Sequence, residues 1–162
     1  MSNHIGWLEI FALIIGPLHP GFTPKMELSE VFGLSDLCSG LQCLYIDRNT
    51  QESRDAVLEQ IGERQSAIEV RNEPFNKLCL FPEGTTTNGR YLIKFKKGAF
   101  QSMRTVIPVY LKTYPEDPTV GPQYCTIDYF KWLIFAMSSF QPFHAKLTIL
   151  PPFTPNEHML KT

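Results

Sequence analysis

Near the start of the chain a histidine and an acid stand five residues apart, His4 and Glu9. On a regular helix of 3.6 residues per turn that spacing separates two side chains by about 140°, so they do not share a helical face. They meet only if His4 lies in the loop before a helix and Glu9 reaches back from its first turn, which would make a base oriented by a carboxylate. The plainer alternative is a surface histidine followed by a first-turn acid that complements the helix dipole. A second concentration of chemistry is the run Glu83-Gly84-Thr85-Thr86-Thr87-Asn88-Gly89-Arg90. Glycine backbone N–H groups and threonine hydroxyls can cradle a phosphate, and Arg90, Lys94, Lys96 and Lys97 add positive charge. The run is not a Walker loop, because GxxxxGK[ST] is absent. A solvated turn at Asn88-Gly89 flanked by surface lysines accounts for the same residues. A third polar pair, Asp47-Arg48, closes a short apolar run.

The elements that position these residues follow from hydrophobic patterning. Trp7, Leu8, Ile10, Phe11, Leu13, Ile14 and Ile15 fill most faces of a buried helix that Gly16-Pro17 ends. Residues 22–24 form a short strand, and 25–34 a helix with Met26, Leu28, Val31 and Phe32 on its inner side. Residues 41–46 suit a buried strand. Residues 51–65, with Val57, Leu58 and Ile61 among Glu, Arg and Gln, form an amphipathic surface helix. Strands over 77–81, 105–111 and 145–150, and a helix over 130–137, complete an alternating order, with Pro115, Pro118, Gly121 and Pro122 marking a loop. No residues remain before His4 for a strand of its own, so the start reads as a truncation.

Composition narrows the function. The chain has 162 residues, 43% of them hydrophobic, enough for one compact domain with a real core. Fifteen basic against sixteen acidic residues give a net charge of -1, so no overall field favours nucleic acid or an anionic membrane, and any bound anion must meet a local patch. Cys38, Cys43, Cys79 and Cys125 show neither CxxC spacing nor a zinc pattern, and read as buried thiols. No run approaches the ~20 apolar residues of a membrane span.

Four ordered blocks carry a resemblance. Asn3-His4-Ile5-Gly6-Trp7-Leu8-Glu9, Leu44-Tyr45-Ile46-Asp47-Arg48, Phe81-Pro82-Glu83-Gly84-Thr85 and Val106-Ile107-Pro108-Val109 resemble those of the glycerolipid (PlsC-like) acyltransferase superfamily. The wording of residues 81–100 and of the tail 114–155 is most similar to the lysophosphatidylcholine acyltransferase branch. The resemblance implies an α/β fold over residues 1–162, a single PlsC-like acyltransferase domain truncated at its N-terminus, with a mixed, mainly parallel sheet covered by helices.

It also implies an activity: transfer of a fatty acyl group from acyl-CoA to the free hydroxyl of a lysophospholipid such as lysophosphatidylcholine, at an endoplasmic reticulum membrane. His4 would be the general base and Glu9 its partner. Arg48, Glu83, Gly84 and Thr85 would hold the glycerophosphate, Arg90 and Lys97 would meet phosphates, and Pro108 would shape the site wall. No metal or organic cofactor is implied; acyl-CoA is a substrate, and the partners are acyl-CoA, lysophospholipid and a membrane surface. Trp7, Phe11 and the cluster Phe130, Trp132, Phe135, Phe140 and Phe143 are candidates for an apolar, lipid-facing surface, while His19, His144 and His158 belong to no block. The family pattern has Asp where this chain has Glu9. The extra methylene moves the carboxylate by about 1 Å, a displacement that can cost on the order of 100-fold in rate. The expectation is an active enzyme slowed by that change; the alternatives are a lysophosphatidic acid acyltransferase and a weakly active lipid- or CoA-binding pseudoenzyme.

Overall fold

The structure is a computed structural model that describes residues 1–6, 8–47, 50–87, 89, 91–96, 98, 100–115, 131, 134, 138 and 143–158. Helix α1 (Leu8–Ile15) comes first, followed by a 3-10 turn (Met26–Glu30), α2 (Leu34–Gly40) and α3 (Gln51–Glu69). Two strands complete the order, β1 (Val109–Pro115) and β2 (Phe143–Ile149). These strands pair antiparallel from Val109 opposite Ile149 to Pro115 opposite Phe143.

The mainly parallel sheet expected from the sequence is not found as such: among the described residues the one regular ladder is the antiparallel pair β1–β2. The other extended segments touch through single bridges, Ser2 with Val109, Gly21 with Leu78 and Lys25 with Ile46, all parallel, and Val106 with Phe153 antiparallel. Short runs interrupted by Pro20, Pro24, Pro82 and Pro108 explain this, since each proline lacks the N–H that a continuous ladder requires. The bridges still set an order in space. Residues 44–46 lie beside 22–25, Gly21 beside 77–79, and Met1-Ser2 between Leu80 and Val109. No regular strand precedes His4, but Met1-Ser2 is tied in as extended chain: Ser2 N–H donates to the Leu80 carbonyl (3.1 Å) and Val109 N–H to that of Met1 (2.7 Å).

Helix boundaries depart from the reading around residues 25–40 and at the end of α3. Instead of one helix over 25–34, the chain makes the 3-10 turn, then breaks at Gly33, whose φ of +76° a glycine adopts without cost. Met26, Val31 and Phe32 consequently face solvent rather than an inner side. Helix α3 runs four residues beyond its expected end, starting from Thr50, whose hydroxyl caps Ser53 N–H (3.1 Å). It buries Val57, Ile61 and Ala67, and Glu69 receives both the N–H and the hydroxyl of Thr105 at 3.0 Å. The core joins α1 to the extended segments: Leu13, Phe22 and Cys79 are buried together, with Ile10, Ile14, Phe81, Val109 and Leu147 packed against them. Helix α1 is only half-buried, since Phe11 and Ile15 are exposed. Cys38 and Cys79 are buried thiols as expected, and Cys43 is partly buried. Trp7, Cys125 and most of the expected 130–137 helix lie outside the described residues, although Lys131, Ile134 and Ser138 are helical.

Candidate active site

The parallel bridges bring the C-terminal ends of three extended segments to one edge, and His4 follows directly from the first of them. The residue before it is locked: Asn3 Nδ2 donates to the Leu111 carbonyl and Leu111 N–H to Asn3 Oδ1, each at 2.9 Å. His4 itself lies in the turn before α1, and its carbonyl accepts from Thr87 N–H at 2.9 Å. Its ring stacks on Phe81 with centroids 4.0 Å apart and planes 14° off parallel.

Glu9, in the first turn of α1, reaches back to this histidine. Glu9 Oε1 accepts from Ile5 N–H at 2.6 Å and contacts His4 Nδ1. An ionised carboxylate only accepts, so Nδ1 carries the proton and Nε2 is left as the basic nitrogen. The loop-plus-first-turn geometry is thus the one adopted, and the glutamate is long enough for it. Glu9 is 1% exposed, whereas the His4 side chain is 17% exposed, so the acid is sequestered and the base has access to solvent. Burial holds the nearby Cys79 thiol up at about 11, and the negative charge of Glu9 adds to that rise.

The third block forms a turn against His4. Gly84 N–H donates to the Phe81 carbonyl (2.9 Å), and Gly84 has a φ of +70°. A Cβ there would lie 3.4 Å from Lys96 Cγ, so the Lys96 stem covers this turn. Glu83 is 3% exposed and, like Glu9, has an Oε2 without a hydrogen-bond partner among the described residues. Thr85 is exposed beside them, and so are Lys94 and Lys96.

Not every expected residue gathers here. Ile107 and Val109 flank Pro108 and bond to Met1, so Pro108 stands at the Met1 end, about 10 Å along an extended chain from the level of His4. Arg48, Arg90 and Lys97 lie outside the described residues. An apolar cavity of about 400 Å³, lined by Leu13, Leu78, Leu80, Ile61 and Val106, does not include His4. Sequence reasoning gave no role to Phe81 or to the side chain of Asn3. A planar residue after an apolar run was visible, but the pairing of Asn3 with a residue 108 positions away leaves no local signal.

A buried acid thus contacts a histidine beside a Phe-Pro-Glu-Gly-Thr turn. Residues 1–115 match the acyltransferase family, and the chain belongs to it, within the PlsC-like glycerolipid acyltransferases. Among curated relatives, a lysophospholipid acyltransferase of Arabidopsis thaliana is 36% identical over 122 residues, covering 71% of this chain and 28% of its own length. The lysophosphatidylcholine acyltransferase 1 of Danio rerio is 31% identical, covering 85% of this chain and 26% of its own length. The chain thus spans little more than a quarter of these relatives. The crystal structure of the 1-acyl-sn-glycerophosphate acyltransferase PlsC of Thermotoga maritima shares the fold, with a TM-score of 0.62 at 20% identity, over 99% of this chain and 58% of that one.

Proposed function

We propose that the chain transfers a fatty acyl group from acyl-CoA to the free hydroxyl of a lysophospholipid, with lysophosphatidylcholine as acceptor, at the endoplasmic reticulum membrane. The observation that carries this reading is the contact of buried Glu9 with His4 Nδ1. His4 Nε2 takes the acceptor's hydroxyl proton as the oxygen attacks the thioester carbonyl. The tetrahedral intermediate then collapses, the C–S bond breaks, and the proton passes from His4 to the departing thiolate. Glu9 orients the ring and offsets the positive charge that His4 gains. In this reading Arg48, Glu83, Gly84 and Thr85 hold the glycerophosphate, Arg90 and Lys97 meet phosphates, Pro108 shapes the wall, and no metal or organic cofactor takes part. The names of the relatives support the acceptor class. Among the described residues no helix is long and apolar enough to cross a membrane.

The test is release of CoA from acyl-CoA in the presence of lysophosphatidylcholine, lysophosphatidylethanolamine or lysophosphatidic acid. Turnover fastest with lysophosphatidylcholine and lost in His4→Ala supports the reading. Acyl-CoA binding without turnover on any acceptor would replace it with the pseudoenzyme.

A further inference from the structure

The run Tyr91-Leu92-Ile93-Lys94-Phe95-Lys96 is unusual for a region tied to a buried site. Tyr91 and Leu92 are 78% and 80% exposed, and Ile93 and Phe95 are exposed as well. Four large apolar side chains in five consecutive positions remain in water, with Lys94 and Lys96 exposed among them. A contiguous apolar patch of this kind on a folded surface marks an interaction site rather than scatter. Both ends of the run are anchored to the His4 constellation. Before it, Thr87 N–H is bonded to the His4 carbonyl, and a Cβ on Gly89 would come within 3.2 Å of Ile5 Cγ2. After it, Lys96 N–H donates to the Pro82 carbonyl at 2.7 Å, while its stem covers Gly84. The loop therefore leaves the site and returns to it, and stands as a lip on its rim.

We propose that this lip is the surface by which the protein lies on a bilayer: Tyr91, Leu92, Ile93 and Phe95 enter the interface while Lys94 and Lys96 meet lipid phosphates. Apolar side chains alternating with lysines match the two layers of an interface, apolar below and anionic above. The lip builds on the proposed lysophospholipid acceptor, which it would deliver to His4 directly from the membrane. The same edge offers an internal contrast. The segment 25–37 also emerges there, from the Lys25 bridge with Ile46, with Phe32 and Val31 exposed, but it carries exposed Glu27, Glu30 and Asp36 against a single exposed lysine, Lys25. Its charge suits an anionic interface poorly, so apolar exposure alone does not make it a second contact.

Flotation of the purified chain with phosphatidylcholine vesicles, with and without phosphatidylserine, tests this. The expected result is partition onto both, strengthened by phosphatidylserine about fivefold for each lysine engaged. Tyr91→Ser combined with Leu92→Ser should weaken partition at least about tenfold on both vesicles, and Phe32→Ser should leave it within about twofold. Turnover of a short-chain acceptor below its micelle concentration should be unchanged in the double variant. Wild-type partition in the double variant, equal loss in Phe32→Ser, or no partition by the wild type would overturn the lip. Lip-dependent partition without turnover on any acceptor would instead remove the acyl-transfer reading and leave the lip standing.

Discussion

Replacing Glu9 by glutamine separates the charge of the buried acid from its shape. Glutamine has the same length, and its carbonyl oxygen can still accept from Ile5 N–H and from His4 Nδ1. What is removed is the negative charge facing the histidine when His4 takes up the hydroxyl proton. Two unit charges 4 Å apart attract by about 4 kcal/mol at an effective dielectric constant near 20. The retained neutral hydrogen bond returns roughly 1 kcal/mol of this, which leaves a net loss of about 3 kcal/mol from the transition state, or about 150-fold in kcat. The acceptor KM should hardly move, because Glu9 is 1% exposed and out of reach of substrate. Stability should not fall by more than about 1 kcal/mol, since a buried carboxylate, with one oxygen that lacks a partner among the described residues, is replaced by a neutral amide. The assay is thiol release from acyl-CoA under saturating lysophosphatidylcholine, alongside thermal unfolding. A kcat within threefold of wild type at unchanged stability would refute the orienting and charge-offsetting role of Glu9. A parallel collapse of kcat and Tm would make the carboxylate structural.

The contacts of Glu9 with His4 and Ile5 N–H reverse the sign expected from the sequence: Glu9→Asp should be slower, by about 10–100-fold in kcat, because the shorter side chain withdraws the carboxylate by about 1 Å; a rate equal to or above wild type would restore the expectation that glutamate slows the enzyme. Asn3→Ala strips two hydrogen bonds from the buried backbone of Leu111, and unfolding should register a loss of about 1–3 kcal/mol. Gly84→Ala forces an alanine into a left-handed conformation against Lys96, with an expected loss of at least about 1 kcal/mol by chemical denaturation. In alkali, Cys79 gives a pH dependence of fixed sign. Its folded value is raised to about 11 from 9.0, so the unfolded chain loses the thiol proton first and stability should fall as pH rises from about 9 to 11. Denaturation midpoints for wild type and Cys79→Ala across that range check this, and the slope should be shallower in the variant.

The parts of the site that were legible in the sequence are those whose partners lie close along the chain. The His4–Glu9 contact spans a single turn entry, and the turn of residues 81–84 is encoded by Pro82 and Gly84 in place. The break at Gly33 was less visible, because Met26, Leu28, Val31 and Phe32 repeat with helical spacing and the glycine's left-handed backbone overrides that period. The sheet was legible only in part, for a related reason. Apolar runs at 22–24, 41–46 and 77–81 carry a strand pattern, yet a pattern records burial rather than the number of ladder bonds, and flanking prolines reduce these contacts to single bridges. Most distant from any local signal is the Asn3–Leu111 pair, which depends on the order of segments across the fold.

That pair also sets a timetable. Asn3 and His4 leave the ribosome well before their clamp exists, because the carbonyl and amide that hold Asn3 belong to a residue made 108 positions later. Closing a flexible loop of that length costs about 4 kcal/mol of chain entropy, a cost met only when several distant contacts form together. The histidine of the proposed reaction would thus be synthesised well before the contacts that order it can form. A nascent chain stalled before Leu111 would carry a complete His4–Glu9 motif with nothing to aim it, and would stay inert until the far strand docked.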